Sequence, residues 1–265
     1  MGAFTYGVPH LDVPSLAYAS MPCLAAPRAP PAARTLTLAL TMKHAIPHLL
    51  ALAAVLSTVL AASGTAQAQD AAAGEKKAAT CIGCHGIVGY QASFPQVYKV
   101  PMISGQNAGY IVAALTAYKK GERKHPTMRG IAVALTDVDM ADLGAFYETH
   151  GQSALKNIAA TTTAPRAPSA AVGALLTKGA CASCHGADYN KPLIGAYPKL
   201  AGQHADYLYV ALTSYATSGN RHVGRSNGVM VAQVKPYSRS ELKAMADYLG
   251  SLPGDLKVVP QSRWR

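Results

Sequence analysis

The sequence predicts an all-α fold made of two tandem helical domains, and three observations carry that prediction. The chain repeats itself at an interval of about 100 residues, the first thing to look for in any sequence. In each copy apolar residues recur at helical spacing: Ile111, Leu115 and Tyr118 in one, Leu208, Leu212 and Tyr215 in the other, at i, i+4 and i+7. Each copy also announces a final helix with a capping pair, Thr136 with Asp139 and Ser238 with Glu241, and neither shows strand alternation.

The repeat is explicit in the residues. Cys81-Ile82-Gly83-Cys84-His85-Gly86 returns as Cys181-Ala182-Ser183-Cys184-His185-Gly186, and Pro101 with Gly105-Gln106 returns as Pro198 with Gly202-Gln203. The match continues through Tyr110, Leu115, Thr116 and Tyr118 against Tyr207, Leu212, Thr213 and Tyr215. Behind the caps, Met140, Leu143 and Tyr147 correspond to Leu242, Met245 and Leu249, an apolar stripe at i, i+3 and i+7. Leu135 with Met140 and Tyr237 with Leu242 are positioned for hydrophobic staples.

Ahead of the repeats, Met42, Lys43 and His44 precede an apolar stretch from Leu49 to Leu60 and then Ala66-Gln67-Ala68. A basic start, a hydrophobic centre and an A-x-A site form a secretory signal pattern. The apolar run is well short of the roughly 20 residues that span a bilayer. Residues 42–68 are therefore expected to be a signal peptide cleaved after Ala68. Residues 1–41, rich in Ala and Pro and holding the unpaired Cys23, are expected to be an over-extended start without a fold of its own. The 197 residues from Gln69 suit two domains of about 100 each. The expected boundaries are a first domain over 69–152, a linker over 153–171 that includes Pro165 and Pro168, a second domain over 172–255 and a tail over 256–265.

Charge is uneven along the mature chain. Residues 69–155 hold 8 basic and 7 acidic side chains, residues 156–265 hold 13 and 5. The second half is thus expected to meet an acidic protein surface by electrostatic steering. No nucleic-acid partner and no membrane span after signal cleavage are expected.

Cys-x-x-Cys-His is the attachment signal for c-type haem: two thiols add to the vinyl groups, and the adjacent imidazole is held where it can ligate iron. Zinc ribbons bring their cysteine pairs within about 15–20 residues of each other, whereas these pairs stand a full repeat apart and each is followed by His. A redox dithiol expects strand–helix alternation around the motif, and a plain disulfide leaves the histidines unexplained. Cys81, Cys84, Cys181 and Cys184 are therefore the expected anchors of two covalent haem c groups, with His85 and His185 as iron ligands. A buried macrocycle would also complete the core of a domain of only about three helices.

Methionine opposite histidine is the ligand pair that raises the potential of cytochromes c. Met128 and Met230 each lie 8 residues before their helix caps, 43 and 45 residues after their histidines. They are the expected sixth ligands. His125 and Met102 compete with Met128, and His204 and His222 with Met230; Met140 and Met245 read as core. Prolyl carbonyls at Pro101 and Pro198 are expected to accept the second imidazole N–H. Arg123 and Arg221, each in a Gly-x-Arg segment, are candidates for pairing with haem propionates, with a solvated surface role as the alternative.

In these features the chain resembles the dihaem cytochrome c4 family: tandem Cys-x-x-Cys-His domains, Pro-x-x-x-Gly-Gln behind the motif at Pro101 to Gln106, and the late methionine of Pro126-Thr127-Met128-Arg129-Gly130. The resemblance spans residues 70–252. It implies two cytochrome c-like helical domains, a periplasmic electron carrier that is not an enzyme, and redox partner proteins such as a membrane-bound oxidase or reductase. The second copy departs from the pattern, reading Val229-Met230-Val231-Ala232 without the Arg-Gly that follows Met128. Two alternatives stay open: a dihaem cytochrome subunit of a dehydrogenase, and a haem enzyme such as a peroxidase with one exchangeable ligand.

Overall fold

The computed structural model describes residues 69–152 and 166–260. The expected over-extended start, the signal peptide and linker residues 153–165 lie outside them.

The first repeat runs α1 (Ala71–Lys77), α2 (Ala79–His85), β1 (Gln91–Ala92), β2 (Tyr98–Lys99), α3 (Ala108–Lys120), β3 (Arg123–Lys124), α4 (Pro126–Val133) and α5 (Asp137–Thr149). The second runs α6 (Ala170–Lys178), α7 (Cys181–His185), α8 (Ala205–Tyr215), β4 (Gly224–Arg225), α9 (Gly228–Val234) and α10 (Arg239–Ser251). The fold is all-α, as its periodicity predicts.

Local chemistry sets the helix ends. Asp70 caps α1, its carboxylate accepting from the Ala72 and Ala73 amides at 2.8 and 3.2 Å. Helix α3 stops at Gly121, which adopts the left-handed conformation (φ 78°) that a side chain would resist. Both expected capping boxes form, at Thr136 with Asp139 and at Ser238 with Glu241. The shorter Asp139 still reaches back to the Thr136 amide, at 2.9 Å.

Packing follows the predicted stripes. Met140, Leu143 and Tyr147 of α5 are buried, as are Leu242, Met245 and Leu249 of α10. In the first repeat α1 and α3 pack on α5; in the second α6 and α8 pack on α10. The α1–α5 crossing is close because Gly74 has no side chain: a Cβ there would overlap the Asp142 carbonyl oxygen.

Backbone pairing joins the halves at two places. Strand β1 pairs only with β2, but β3 of the first half pairs antiparallel with β4 of the second, Arg123 opposite Arg225 and Lys124 opposite Gly224. Ser104 bridges to Lys257, whose amide donates to the Ser104 carbonyl at 3.0 Å. The residues after 255, expected as a tail, therefore begin inside the fold, with Leu256 buried. One apolar residue in a short segment leaves no periodic signal, and neither do strands of two residues.

Replacing Gly74 with Ala should destabilise the protein by about 1–3 kcal/mol, because the overlap is with backbone and not with a movable side chain. Denaturant unfolding of the variant beside the parent checks this; unchanged stability would show that the helices separate without cost.

Candidate haem sites

Each Cys-x-x-Cys-His motif occupies a short helix, α2 or α7, and one helical turn explains its spacing. Residues at i, i+3 and i+4 share a face, so two thiols and an imidazole are presented together. Among the described residues none of Cys81, Cys84, Cys181 and Cys184 is in a disulfide, and burial pushes the thiols of Cys81 and Cys181 above the usual value.

The imidazoles are held from behind. His85 Nδ1 lies 2.7 Å from the Pro101 carbonyl oxygen, and His185 Nδ1 lies 3.0 Å from that of Pro198. A carbonyl only accepts, so Nδ1 carries the proton in both rings and Nε2 keeps its lone pair. Burial depresses the basicity of both rings, which keeps them neutral. Both expected prolyl acceptors are thus in place, and the free nitrogen is the one a metal would use.

Across the site stand the two methionines, each the third residue of its helix, α4 or α9. The N-cap side chain binds the methionine amide in each case: His125 Nδ1 accepts from Met128 N–H at 3.3 Å, and Asn227 Oδ1 from Met230 N–H at 3.1 Å. The equivalence of the two methionines therefore extends to their caps. It also occupies His125, whose Nδ1 serves the cap while its Nε2 lies 3.2 Å from the Tyr98 hydroxyl. Of the other competitors, Met102 lines the cavity described next, and His204 and His222 do not.

One continuous cavity of about 1080 Å³ is lined by both motifs, by Met128 and Met230, and by apolar side chains including Leu115, Leu143, Leu212 and Leu249. Pockets for a single drug-sized ligand run to about 1,000 Å³ at most. This cavity lies at the top of that range and is lined by two sets of thiols, imidazole and thioether.

A cationic cluster lines the same cavity. Arg123 donates to the Tyr110 hydroxyl at 3.1 Å and to the Tyr207 hydroxyl at 2.6 Å, and Arg225 donates to the same Tyr207 oxygen at 3.3 Å. The Arg123 guanidinium stacks over the Tyr118 ring at 4.5 Å, and that of Arg225 over Tyr215 at 5.3 Å. Among the described residues neither arginine pairs with a carboxylate, and the buried Arg123 Nε has no partner. A buried guanidinium beside a half-buried one, without counter-charge, is costly. The site accordingly favours an anion: burial opposes ionisation of Tyr207, but the two guanidiniums outweigh it and bring the phenol down to about 7.

These features fit haem c. The apolar walls suit a porphyrin face, the thiols its vinyl groups, the imidazole and thioether its iron, and the guanidiniums its carboxylates. One candidate changes. Arg221 is exposed and lines no part of the cavity; the partner of Arg123 is Arg225. For Arg221 the solvated surface role is the one the structure shows. Distance to the methionine is the better guide, since Arg123 and Arg225 each stand five residues before Met128 and Met230. Tyr207, Gln106 and Gln203 appeared in the sequence only as matched repeat positions, without a role.

Comparison with known proteins agrees with this chemistry. The sequence model described as "Cytochrome c" matches residues 170–253. The chain is similar to cytochrome c4 of Thiocapsa roseopersicina, 31% identical over 202 residues that cover 70% of this chain and 94% of the relative. It is also similar to the thiosulfate dehydrogenase electron acceptor of Stutzerimonas stutzeri, 28% identical over 66% of this chain and 80% of the relative. Among solved structures, that of Acidithiobacillus ferrooxidans cytochrome c4 superposes with a TM-score of 0.50 at 27% identity, covering 66% of this chain and 99% of that one. With its helical repeats, its cavity lined by both Cys-x-x-Cys-His motifs and these likenesses, the chain belongs to the cytochrome c4 family: it is a dihaem c-type cytochrome, an electron carrier with covalently bound haem c.

Proposed function

We propose that the protein is a periplasmic electron shuttle in which Cys81 and Cys84 anchor one haem and Cys181 and Cys184 the other, with His85 and Met128 on one iron and His185 and Met230 on the second. The observation that carries this assignment is the matched geometry of the two sets. Each pairs a neutral, carbonyl-held imidazole with a methionine whose helix is capped by the side chain three residues before it.

When bound, haem c supplies an iron that cycles between ferric and ferrous states. The chain's own residues do the rest. The two histidines offer Nε2 because their Nδ1 protons are committed to carbonyls, and the Met128 and Met230 thioethers would serve as the second protein ligands, a pairing that raises the potential. An iron held by two protein ligands would leave no position for a substrate. Arg123 and Arg225 would meet the haem carboxylates and supply the counter-charge those groups need, with the Tyr207 hydroxyl held by both guanidiniums.

Export rests on the signal pattern over residues 42–68. Transfer between respiratory-chain components and a terminal oxidase is the expected role. The likeness to a protein named as a thiosulfate dehydrogenase electron acceptor favours a second route, in which a dehydrogenase supplies the electrons. In either route the basic second half is the docking surface for an acidic partner.

Replacing Met128 or Met230 with Leu should lower the potential of one haem and make that haem alone accept carbon monoxide, leaving the other six-coordinate. Redox titration and the reduced spectrum with carbon monoxide check both variants; a variant with two unaltered haems would remove that methionine from the ligand set. Transfer to an acidic partner should slow about tenfold or more as ionic strength rises to several hundred millimolar. Stopped-flow rates indifferent to salt would exclude steering by the second half.

A further inference from the structure

Gln106 and Gln203 are among the most buried polar residues of the chain, at 3% and 4% exposure, and neither serves its own half alone. Gln203 reaches from the second half into the first, its Oε1 accepting from the Met102 amide at 3.0 Å and its Nε2 donating to the Met102 carbonyl at 2.9 Å. Gln106 makes the mirror-image contact, its Oε1 accepting from the Lys199 amide at 2.9 Å and its Nε2 donating to the Lys199 carbonyl at 3.1 Å. Each amide oxygen also accepts from the residue after it, Asn107 or His204, at 3.0 Å, which fixes the side chain in place.

The peptide units involved are the ones that hold the histidines. The Met102 N–H and the Pro101 C=O belong to one planar unit, so a bond that fixes the first fixes the direction of the second. The same unit polarises as a whole: an acceptor on its N–H strengthens its carbonyl as an acceptor. His85 donates to that Pro101 carbonyl, and His185 donates to the Pro198 carbonyl, which shares its peptide with the Lys199 N–H. Two chains of hydrogen bonds result. One runs from Gln203 through the Pro101–Met102 peptide to His85; the other runs from Gln106 through the Pro198–Lys199 peptide to His185.

We infer that Gln106 and Gln203 are positioning residues that act across the molecule, each setting the orientation and basicity of the histidine in the opposite half. The inference rests on the assignment of His85 and His185 as iron ligands. A partner on the second imidazole nitrogen raises ligand basicity, which favours ferric iron. Loss of Gln203 therefore raises the potential of the first haem, and loss of Gln106 that of the second. Separating the halves would raise both.

The test uses the haem-loaded full chain with Gln203→Met and Gln106→Met, which keep side-chain length and remove the amide. Proton exchange at His85 and His185 Nδ1 is followed by NMR in the diamagnetic reduced state, beside redox titration. Expected for Gln203→Met is exchange at His85 about three- to tenfold faster, with a raised first potential and an unchanged second haem. Gln106→Met should give the reverse pattern. Equal changes at both haems in either variant, or a change confined to the substituted half, would overturn the cross-acting role. The parent protein supplies a reading that needs no substitution: the Met102 and Lys199 amides must exchange as slowly as the histidine Nδ1 protons, and rapid exchange at either amide refutes the relay. If the parent spectra lack histidine ring signals shifted by a haem, the ligand assignment itself fails. If those signals are present and the variants leave exchange and potentials unchanged, only the relay fails.

Discussion

The hydrogen bond from each haem-motif imidazole to a prolyl carbonyl is the interaction on which the rest of the structure depends. It selects the tautomer that leaves Nε2 free, and it ties helices α2 and α7, which are too short to hold a rigid position alone, to the segments that precede α3 and α8. Those segments carry the Gly-Gln pairs that cross to the other half. The same two bonds thus connect motif, core and interface. Around them the apolar stripes of α5 and α10 complete two walls of a core and leave the remaining space to a cofactor.

The interface between the halves is polar and charged, and that is informative about its use. Arg123 and Arg225 face each other across the β3–β4 ladder with tyrosines in place of carboxylates. A protein stabilised only by its own side chains has little reason to bury the Arg123 guanidinium, beside a half-buried Arg225, without a carboxylate for either. The carboxylates of bound haem would supply the missing charge, which makes the arginines of both halves part of the proposed cofactor site.

Much of this was legible in the sequence, and for identifiable reasons. Repetition exposed the domain plan, because two copies of one pattern are improbable by accident. Helical spacing exposed Leu143 and Met245 as core, and the residue types at Thr136 and Ser238 exposed the last helices. The prolyl acceptors were legible from their common place after each motif. What escaped was whatever depends on the two copies touching. Gly-x-Arg similarity aligns Arg123 with the exposed Arg221, whereas register from the methionine aligns it with Arg225. The glutamines looked like family marks because their partners, Met102 and Lys199, lie in the other repeat at a separation no local pattern records. The two-residue strands and the packing of Leu256 were too short to leave a period.

The central claim is that both irons are held on both faces by the chain, which makes the protein a carrier and leaves no place for a substrate. The direct test is the absorption spectrum of the reduced, haem-loaded parent protein before and after carbon monoxide is added. An unchanged spectrum is the result expected when a histidine and a methionine occupy each iron firmly. A clear shift at either haem would contradict it, since it would reveal an exchangeable position of the kind a haem enzyme or gas sensor requires.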